Sequence, residues 1–286
     1  MKFTTIGVIG AGTIGTGVIT DLVLHGLHAV VVDISDAALA RAKNEVLKNI
    51  RFAPMFSKAL PRVSREDALK RMTFTRELRD LAPCEFVIEN VPEIWEMKRP
   101  IYKHLDSFMP PAVCFGVNTS CIPIARVAAV TQRPAQIIGL HAMNPVHLMP
   151  TVEVIRSPQT SDDTAAKLQA LFAQLGKQAI FVNDSPGFVS NRISHLFMNE
   201  AASVLQDGVS TVENIDKIFK QCFGHKMGPL ETADLIGLDT VANSLDVLYE
   251  SFHDPKYRCC PLLRKLVEAG HLGRKTGRGF HTYPEA

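Results

Sequence analysis

A histidine, a glutamate and a run of glycines carry the chemistry legible in this chain. His141 closes the apolar run Ile137 to His141, and Glu153 follows twelve residues later on the next strand-like run. An imidazole backed by a carboxylate is a base suited to alcohol oxidation. The ring takes the hydroxyl proton as hydride leaves the carbon, and the carboxylate fixes the tautomer and stabilises the imidazolium. Spacing alone favours the plainer reading, a core histidine and an unrelated surface glutamate.

Near the N-terminus, Gly10, Gly12 and Gly15 spell G-x-G-x-x-G, with Thr13 and Ile14 inside the pattern. It directly follows a predicted strand and opens a predicted helix. The first glycine permits the tight turn, the second lets backbone approach a pyrophosphate, and the third allows close helix–sheet packing, with the phosphates left on the helix N-terminus. Asp33 lies 23 residues after Gly10, where a carboxylate accepts hydrogen bonds from an adenine-ribose hydroxyl and repels a 2′-phosphate. No arginine follows Asp33 directly, so NAD is favoured over NADP, with FAD a weaker alternative. A tight strand–helix turn ending in an exposed aspartate is the reading without a ligand.

The elements that would position these groups alternate. Strands are predicted at Thr5 to Ile9, Ala29 to Val32, Phe86 to Glu89, Val113 to Val117, Ile137 to His141, Thr151 to Ile155 and Ala179 to Val182. Helices are predicted over Thr13 to Leu24, after the N-cap Ser35, and over Asp162 to Leu175, and several remaining gaps are long enough for crossover helices. That alternation predicts an α/β, doubly wound, largely parallel sheet. Beyond Pro186 the strand signals fade. Asn191 to Gln206, Val212 to Cys222, Pro229 to Leu248 and Pro261 to Ala269 have helical length and spacing. The expected division is residues 1–185 as a Rossmann-like NAD-binding domain and 186–286 as a smaller all-α domain, split at the loop-forming cluster Asn183 to Gly187.

Composition excludes several classes. The chain has 286 residues, is 46% hydrophobic and carries a net charge of +2, too near neutrality for a whole-protein attraction to nucleic acid or membrane. Its six cysteines show no C-x-x-C pair or metal-ligand spacing, so reduced thiols and no metal are expected. Neither a signal peptide nor a spanning apolar stretch is read, and the cytoplasm is the expected location. Between Arg41 and Arg71, however, nine basic residues face three acids. This helical arm would attract CoA phosphates or an acidic acyl carrier protein; a solvated helical face explains it equally well.

Several ordered segments resemble the L-3-hydroxyacyl-CoA dehydrogenase family: Gly10 to Gly15, Asp33, Asn118-Thr119-Ser120, His141 with Asn144-Pro145-Val146, Glu153, Ser185-Pro186-Gly187-Phe188 with Asn191-Arg192, Met227-Gly228-Pro229, and Lys275 to Phe280. They cover nearly the whole chain. The resemblance implies a Rossmann-like domain followed by a helical domain that commonly dimerises, with the active site between them. It makes His141 the base, Glu153 its partner, Ser120 a hydrogen-bond partner of the substrate oxygen and Asn191 an orienting group for substrate or nicotinamide. It also places Asn144 near the substrate and Asn118, Glu93 and Lys98 near the cofactor. Local explanations stand beside these: Ser120 as the cap of an Ile122 to Val130 helix, Asn191 as the cap of its own helix, and Glu93 with Lys98 as a solvated helix-face ion pair.

The chain departs from that pattern around the expected acyl pocket. Members acting on CoA esters typically carry two aromatics after the histidine, where this chain has Ala142 and Met143. His147 and Pro150 replace usual apolar or basic residues, and Cys121 stands where a second serine is common. The leading expectation is an NAD-dependent 3-hydroxyacyl thioester dehydrogenase of fatty acid metabolism. Its substrate would be carried on CoA, or on a carrier protein as in members that make polyketide extender units. A dehydrogenase of a free hydroxy acid or sugar acid, as in the gulonate branch, and a non-catalytic NAD-binding protein, as in the related crystallins, are the alternatives.

Overall fold

The chain divides into two compact units, Met1–Ser185 and Pro186–Ala286, and the computed structural model describes residues 2–284. In the first unit the chain runs β1 (Thr5–Ile9), α1 (Thr13–Leu24), β2 (His28–Val32), α2 (Asp36–Phe56), α3 (Arg65–Lys70), β3 (Met72–Thr75), β4 (Phe86–Glu89), α4 (Trp95–Phe108), β5 (Cys114–Asn118), α5 (Ile124–Ala128), β6 (Ile137–His141), β7 (Thr151–Arg156), α6 (Asp162–Gln174) and β8 (Gln178–Asn183). The eight strands form one sheet in the order β3-β2-β1-β4-β5-β6-β7-β8. The first six positions are the dinucleotide-binding order with its reversal point between β1 and β4.

The central strands are apolar on both faces because helices cover both sides. Ile6, Val8, Phe86, Val87, Phe115, Val117 and Ile138 are all buried. β7 is the exception to the parallel pattern, running antiparallel to β6 while β8 returns parallel to β7. Nine residues, 142–150, separate β6 from β7, fewer than a parallel crossover needs. The β3 edge, not predicted from sequence, is only four residues long.

The second unit holds α7 (Ser190–Gln206), α8 (Val212–Cys222), α9 (Pro229–Ile236), α10 (Leu238–Phe252) and α11 (Pro261–Glu268). Its core gathers Met198, Ala202, Leu230, Val241, Leu245 and Leu263. The single helix expected over Pro229 to Leu248 is two, broken at Gly237, whose φ of +105° is left-handed backbone that side chains avoid. Gly228 caps the first of the two and Pro229 opens it with a fixed φ and no N–H to leave unpaired. No described helix is long and apolar enough to cross a membrane.

Candidate active site

The carboxyl ends of the strands converge on a cavity of about 860 Å³ within the first unit. On its β1 side Gly10 has a φ of +89°, a turn that only glycine makes without strain, and a methyl group at Gly15 would collide with the Gly10 carbonyl oxygen. Gly12 faces open space instead, with no heavy atom within 4 Å of where its Cβ would stand. It caps α1 without a side-chain hydrogen bond, and the first turn of that helix contains no acid. The helix thus presents backbone N–H groups and the positive end of its dipole to the cavity, with room for an anion against Gly12.

Asp33, at the end of β2, lines the same cavity. Its two oxygens accept from the backbone N–H of Ala11, at 2.8 Å, and of Ser35, at 2.9 Å. The carboxylate is therefore fixed against the glycine turn, with lone pairs left for ribose hydroxyls. Sequence reading missed a neighbour: Arg76, just after β3, also lines this end and pairs with Asp36 at 3.3 Å. The four-residue edge strand that delivers it gave no signal.

Farther along the sheet, β6 and β7 set His141 directly opposite Glu153 in the antiparallel register. Directly opposed residues have their side chains on the same face, and His141 Nδ1 meets Glu153 Oε2 at 3.0 Å. Since a carboxylate only accepts, Nδ1 carries the proton and the basic lone pair falls on Nε2. His141 is 6% exposed and lines the large cavity together with Asn118, Thr119 and Ser120. Local capping does not account for Ser120: α5 begins after Pro123 without a side-chain cap, and Thr119 Oγ1 accepts from the Ile122 N–H at 2.8 Å. Asn118 links the two strand ends, its Oδ1 accepting from the Ala142 N–H at 3.2 Å.

Glu93 and Lys98 do not form a solvated pair with each other. Glu93 precedes α4 and accepts from the 119–122 loop. Lys98 is completely buried behind the cavity wall, and its Nζ donates to Glu89 Oε1 and Oε2 at 2.8 and 2.9 Å, to Asn118 O at 2.9 Å and to Val91 O at 3.2 Å. Tyr102 donates to Glu89 Oε2 at 2.7 Å. Burial pushes the Glu89 carboxyl above its ordinary range against the pull of Lys98, and burial beside Glu89 raises Tyr102 well above a usual phenol. Glu89 and Tyr102 escaped the sequence reading, although Lys98 and Tyr102 are spaced to share one helix face.

Asn144 lies on a second cavity of about 680 Å³, with Arg41, Asn49 and His147, on the α1–α2 side. Asn191 is the second residue of α7 in the other unit; Val189 occupies the cap position, and the Asn191 carbonyl accepts from His195 Nδ1 at 2.9 Å. Among the described residues no cluster of three or more metal-ligating side chains occurs.

Residues 5–185 match the family model for the 3-hydroxyacyl-CoA dehydrogenase NAD binding domain, and residues 187–283 match that family's C-terminal domain. The chain belongs to the 3-hydroxyacyl-CoA dehydrogenase family. It is 44% identical to the probable 3-hydroxybutyryl-CoA dehydrogenase of Deinococcus radiodurans, over 99% of this chain and all of that one. Identity to the 3-hydroxybutyryl-CoA dehydrogenase of Bradyrhizobium diazoefficiens is 43%, covering 97% of this chain and 94% of the other. The crystal structure of (S)-3-hydroxybutyryl-CoA dehydrogenase from Ralstonia eutropha superposes with a TM-score of 0.94 at 43% identity, covering 99% and 100% of the two chains.

The cofactor of this family member is NAD, and the glycine turn, the open helix end and the fixed Asp33 carboxylate fit it. Asp33 and Arg76 together predict how that choice is made. Asp33→Asn keeps an acceptor for the Ala11 N–H but removes the charge that repels a 2′-phosphate, while Arg76 stays beside it. NADH affinity should fall about tenfold and NADPH affinity rise, the loss of one charge-assisted hydrogen bond. Fluorescence titration with both nucleotides reads the ratio; an unchanged ratio would remove Asp33 from the discrimination.

Proposed function

We propose that this protein interconverts a short-chain 3-hydroxyacyl-CoA and the corresponding 3-oxoacyl-CoA, with a four-carbon acyl group as the preferred substrate. The observation that carries the reading is the His141–Glu153 pair at 3.0 Å, with His141 on the wall of the cavity that the glycine turn also lines. The four-carbon chain follows the names of the relatives. NAD, when bound, supplies the acceptor for the hydride leaving C3. His141 Nε2 takes the hydroxyl proton during oxidation and returns it during reduction. Glu153 holds the tautomer and offsets the imidazolium charge, and Ser120 hydrogen-bonds the reacting oxygen. The resemblance assigns Asn191 an orienting role and Asn144 a place in substrate binding, and the cavity beside Asn144 gives polar groups for a carrier arm.

The basic residues of α2 and α3 supply charge complementary to CoA phosphates and equally to an acidic carrier protein. The test is NADH oxidation with acetoacetyl-CoA, run beside the same acyl group on a phosphopantetheinylated carrier protein and beside free acetoacetate. Turnover on the CoA ester at least a hundredfold above the other two is the expected result. Activity confined to the carrier protein would reassign the substrate to specialised biosynthesis, and activity only on free acetoacetate would overturn the thioester reading. Light scattering on the same preparation tests a homodimer formed through the second unit, where Ile193 and Phe223 are 64% and 66% exposed.

A further inference from the structure

A buried ion pair, unused by the chemistry above, holds the loop between β6 and β7. Lys177 stands directly before β8 and is 9% exposed. Its Nζ donates to Val146 O at 2.8 Å and to Met149 O at 2.6 Å, and faces Asp21 Oδ2 at 3.1 Å. Asp21 lies on α1 and is 2% exposed. Its other oxygen is 3.2 Å from His25 Nδ1, whose closer acceptor is the Asp21 carbonyl at 2.9 Å. A carboxylate buried on a helix face needs a cation, and Lys177 supplies it.

Both carbonyls belong to segment 142–150, which leaves His141 and carries Asn144 before reaching β7. The sheet pins each end. Ala142 N–H donates to Asn118 Oδ1 at 3.2 Å, and Pro150 O accepts from the Gln178 N–H at 2.8 Å. The middle is a single turn, Val146–Leu148, resting on α1. A methyl group at Gly17 would stand 2.8 Å from Val146 Cβ, so this turn packs directly against helix backbone. Carbonyls turned inward need donors, and the Lys177 ammonium serves two of them at once. Asn144, two residues before Val146, lines the second cavity.

We infer that Lys177, held in place by Asp21, is a positioning residue for the substrate: it fixes the 142–150 loop on α1 and so sets Asn144 at the second cavity. The inference rests on the substrate role proposed above for Asn144. His141 and Glu153 are secured separately, by the β6–β7 ladder, and the glycine turn lies at the N-terminal end of α1, away from Asp21. Loss of the clamp should therefore weaken substrate binding while the base and the nucleotide stay in place.

The experiment compares Lys177→Met, Asp21→Asn, Asn144→Ala and the Asp21→Val/Lys177→Met double variant on the whole protein. The readouts are KM and kcat for acetoacetyl-CoA, NADH affinity by fluorescence, the urea midpoint, and amide hydrogen exchange at Leu148 and Met149, whose N–H groups close the turn onto Pro145 O and Val146 O. Lys177→Met strands a buried carboxylate and should unfold at lower urea. Replacing a buried pair by apolar groups is often neutral, so the double variant should recover a midpoint close to the parent's. Its KM should nevertheless stay raised on the order of tenfold, the worth of one substrate hydrogen bond. Its kcat and NADH affinity should remain within about threefold of the parent, with faster exchange at Leu148 and Met149. Lys177→Met should show the same KM, because KM does not depend on how much of the enzyme is folded. Asp21→Asn keeps Lys177 on both carbonyls and should retain the parental KM. A purely structural pair would give parental KM and parental exchange once stability is restored, and that result would overturn the inference, as would an NADH affinity reduced about tenfold or more. Parental KM in Asn144→Ala would instead overturn the role of Asn144, and the exchange at Leu148 and Met149 would still decide whether Lys177 holds the loop.

Discussion

His141→Asn is expected to lower kcat on the order of 10³-fold, the scale of losing a positioned general base, while NADH affinity stays within about twofold of the parent. Asparagine cannot take a proton at neutral pH, but it is smaller than the ring it replaces and retains a donor for Glu153. The groups that fit the nucleotide, Gly10, Gly12, Gly15 and Asp33, lie at the β1–α1 turn, in α1 and just after β2, whereas His141 closes β6. Turnover and binding should therefore separate in one variant. Stopped-flow reduction of acetoacetyl-CoA gives the rate, and fluorescence quenching gives the affinity.

Glu153→Gln sharpens the same prediction. A glutamine amide can donate to Nδ1, which favours the tautomer with its proton on Nε2, the wrong nitrogen to act as base. The loss should then approach that of His141→Asn and should not add to it in the double variant, since both remove one function. A His141→Asn enzyme within tenfold of parental kcat would sink the assignment of the base. Parental activity in Glu153→Gln alone would leave His141 in place and reduce Glu153 to a strand-pairing role.

Which parts of this arrangement could be read from residues follows physical lines. β1, β4 and β6 announce themselves because a strand buried on both faces must be apolar throughout, and the glycine turn because only glycine makes those approaches. The direction of β7 is not encoded in its own residues; it follows from the length of the loop before it, and the loop length was the available clue. That direction matters, because it is the antiparallel register that turns a twelve-residue spacing into a direct His141–Glu153 contact. The break at Gly237 was hidden because Leu238, Val241 and Leu245 continue an apolar helical pattern across it.

The behaviour of Lys98 was least legible. A lysine on a helix is ordinarily solvated, and nothing in its own type says that Glu89, at the end of a buried strand, needs a cation. The resemblance places it near the cofactor; its Nζ also ties together the ends of β4 and β5 through Val91 O and Asn118 O. Glu93 was similarly grouped with the cofactor, and its backbone partners are invisible until the loop after β5 is folded against it.

Lys98→Met should be strongly destabilising, because its ion pair with Glu89 is buried. Breaking a buried ion pair by removing one partner costs about 3–5 kcal/mol, because an uncompensated charge is left in the interior. Glu89, with 1% of its side chain exposed, would answer by taking up a proton. Burial already pushes its pKa upward, so without Lys98 its folded-state pKa lies further above the unfolded value. A carboxyl with a raised folded pKa contributes its stability below the unfolded pKa and loses it as pH rises toward the folded one. The deficit of Lys98→Met relative to the parent should accordingly shrink as the pH is lowered toward the ordinary carboxylate range. Urea unfolding followed by a probe in the first unit measures it. Glu89→Gln added to Lys98→Met removes the stranded charge while keeping an acceptor for Tyr102, so the double variant should regain most of the loss and lose the pH dependence. A single variant within about 1 kcal/mol of the parent would show that the cluster is solvated in solution, and a double variant no better than the single would shift the cost from charge to the carbonyls of Val91 and Asn118 that Lys98 leaves without a donor.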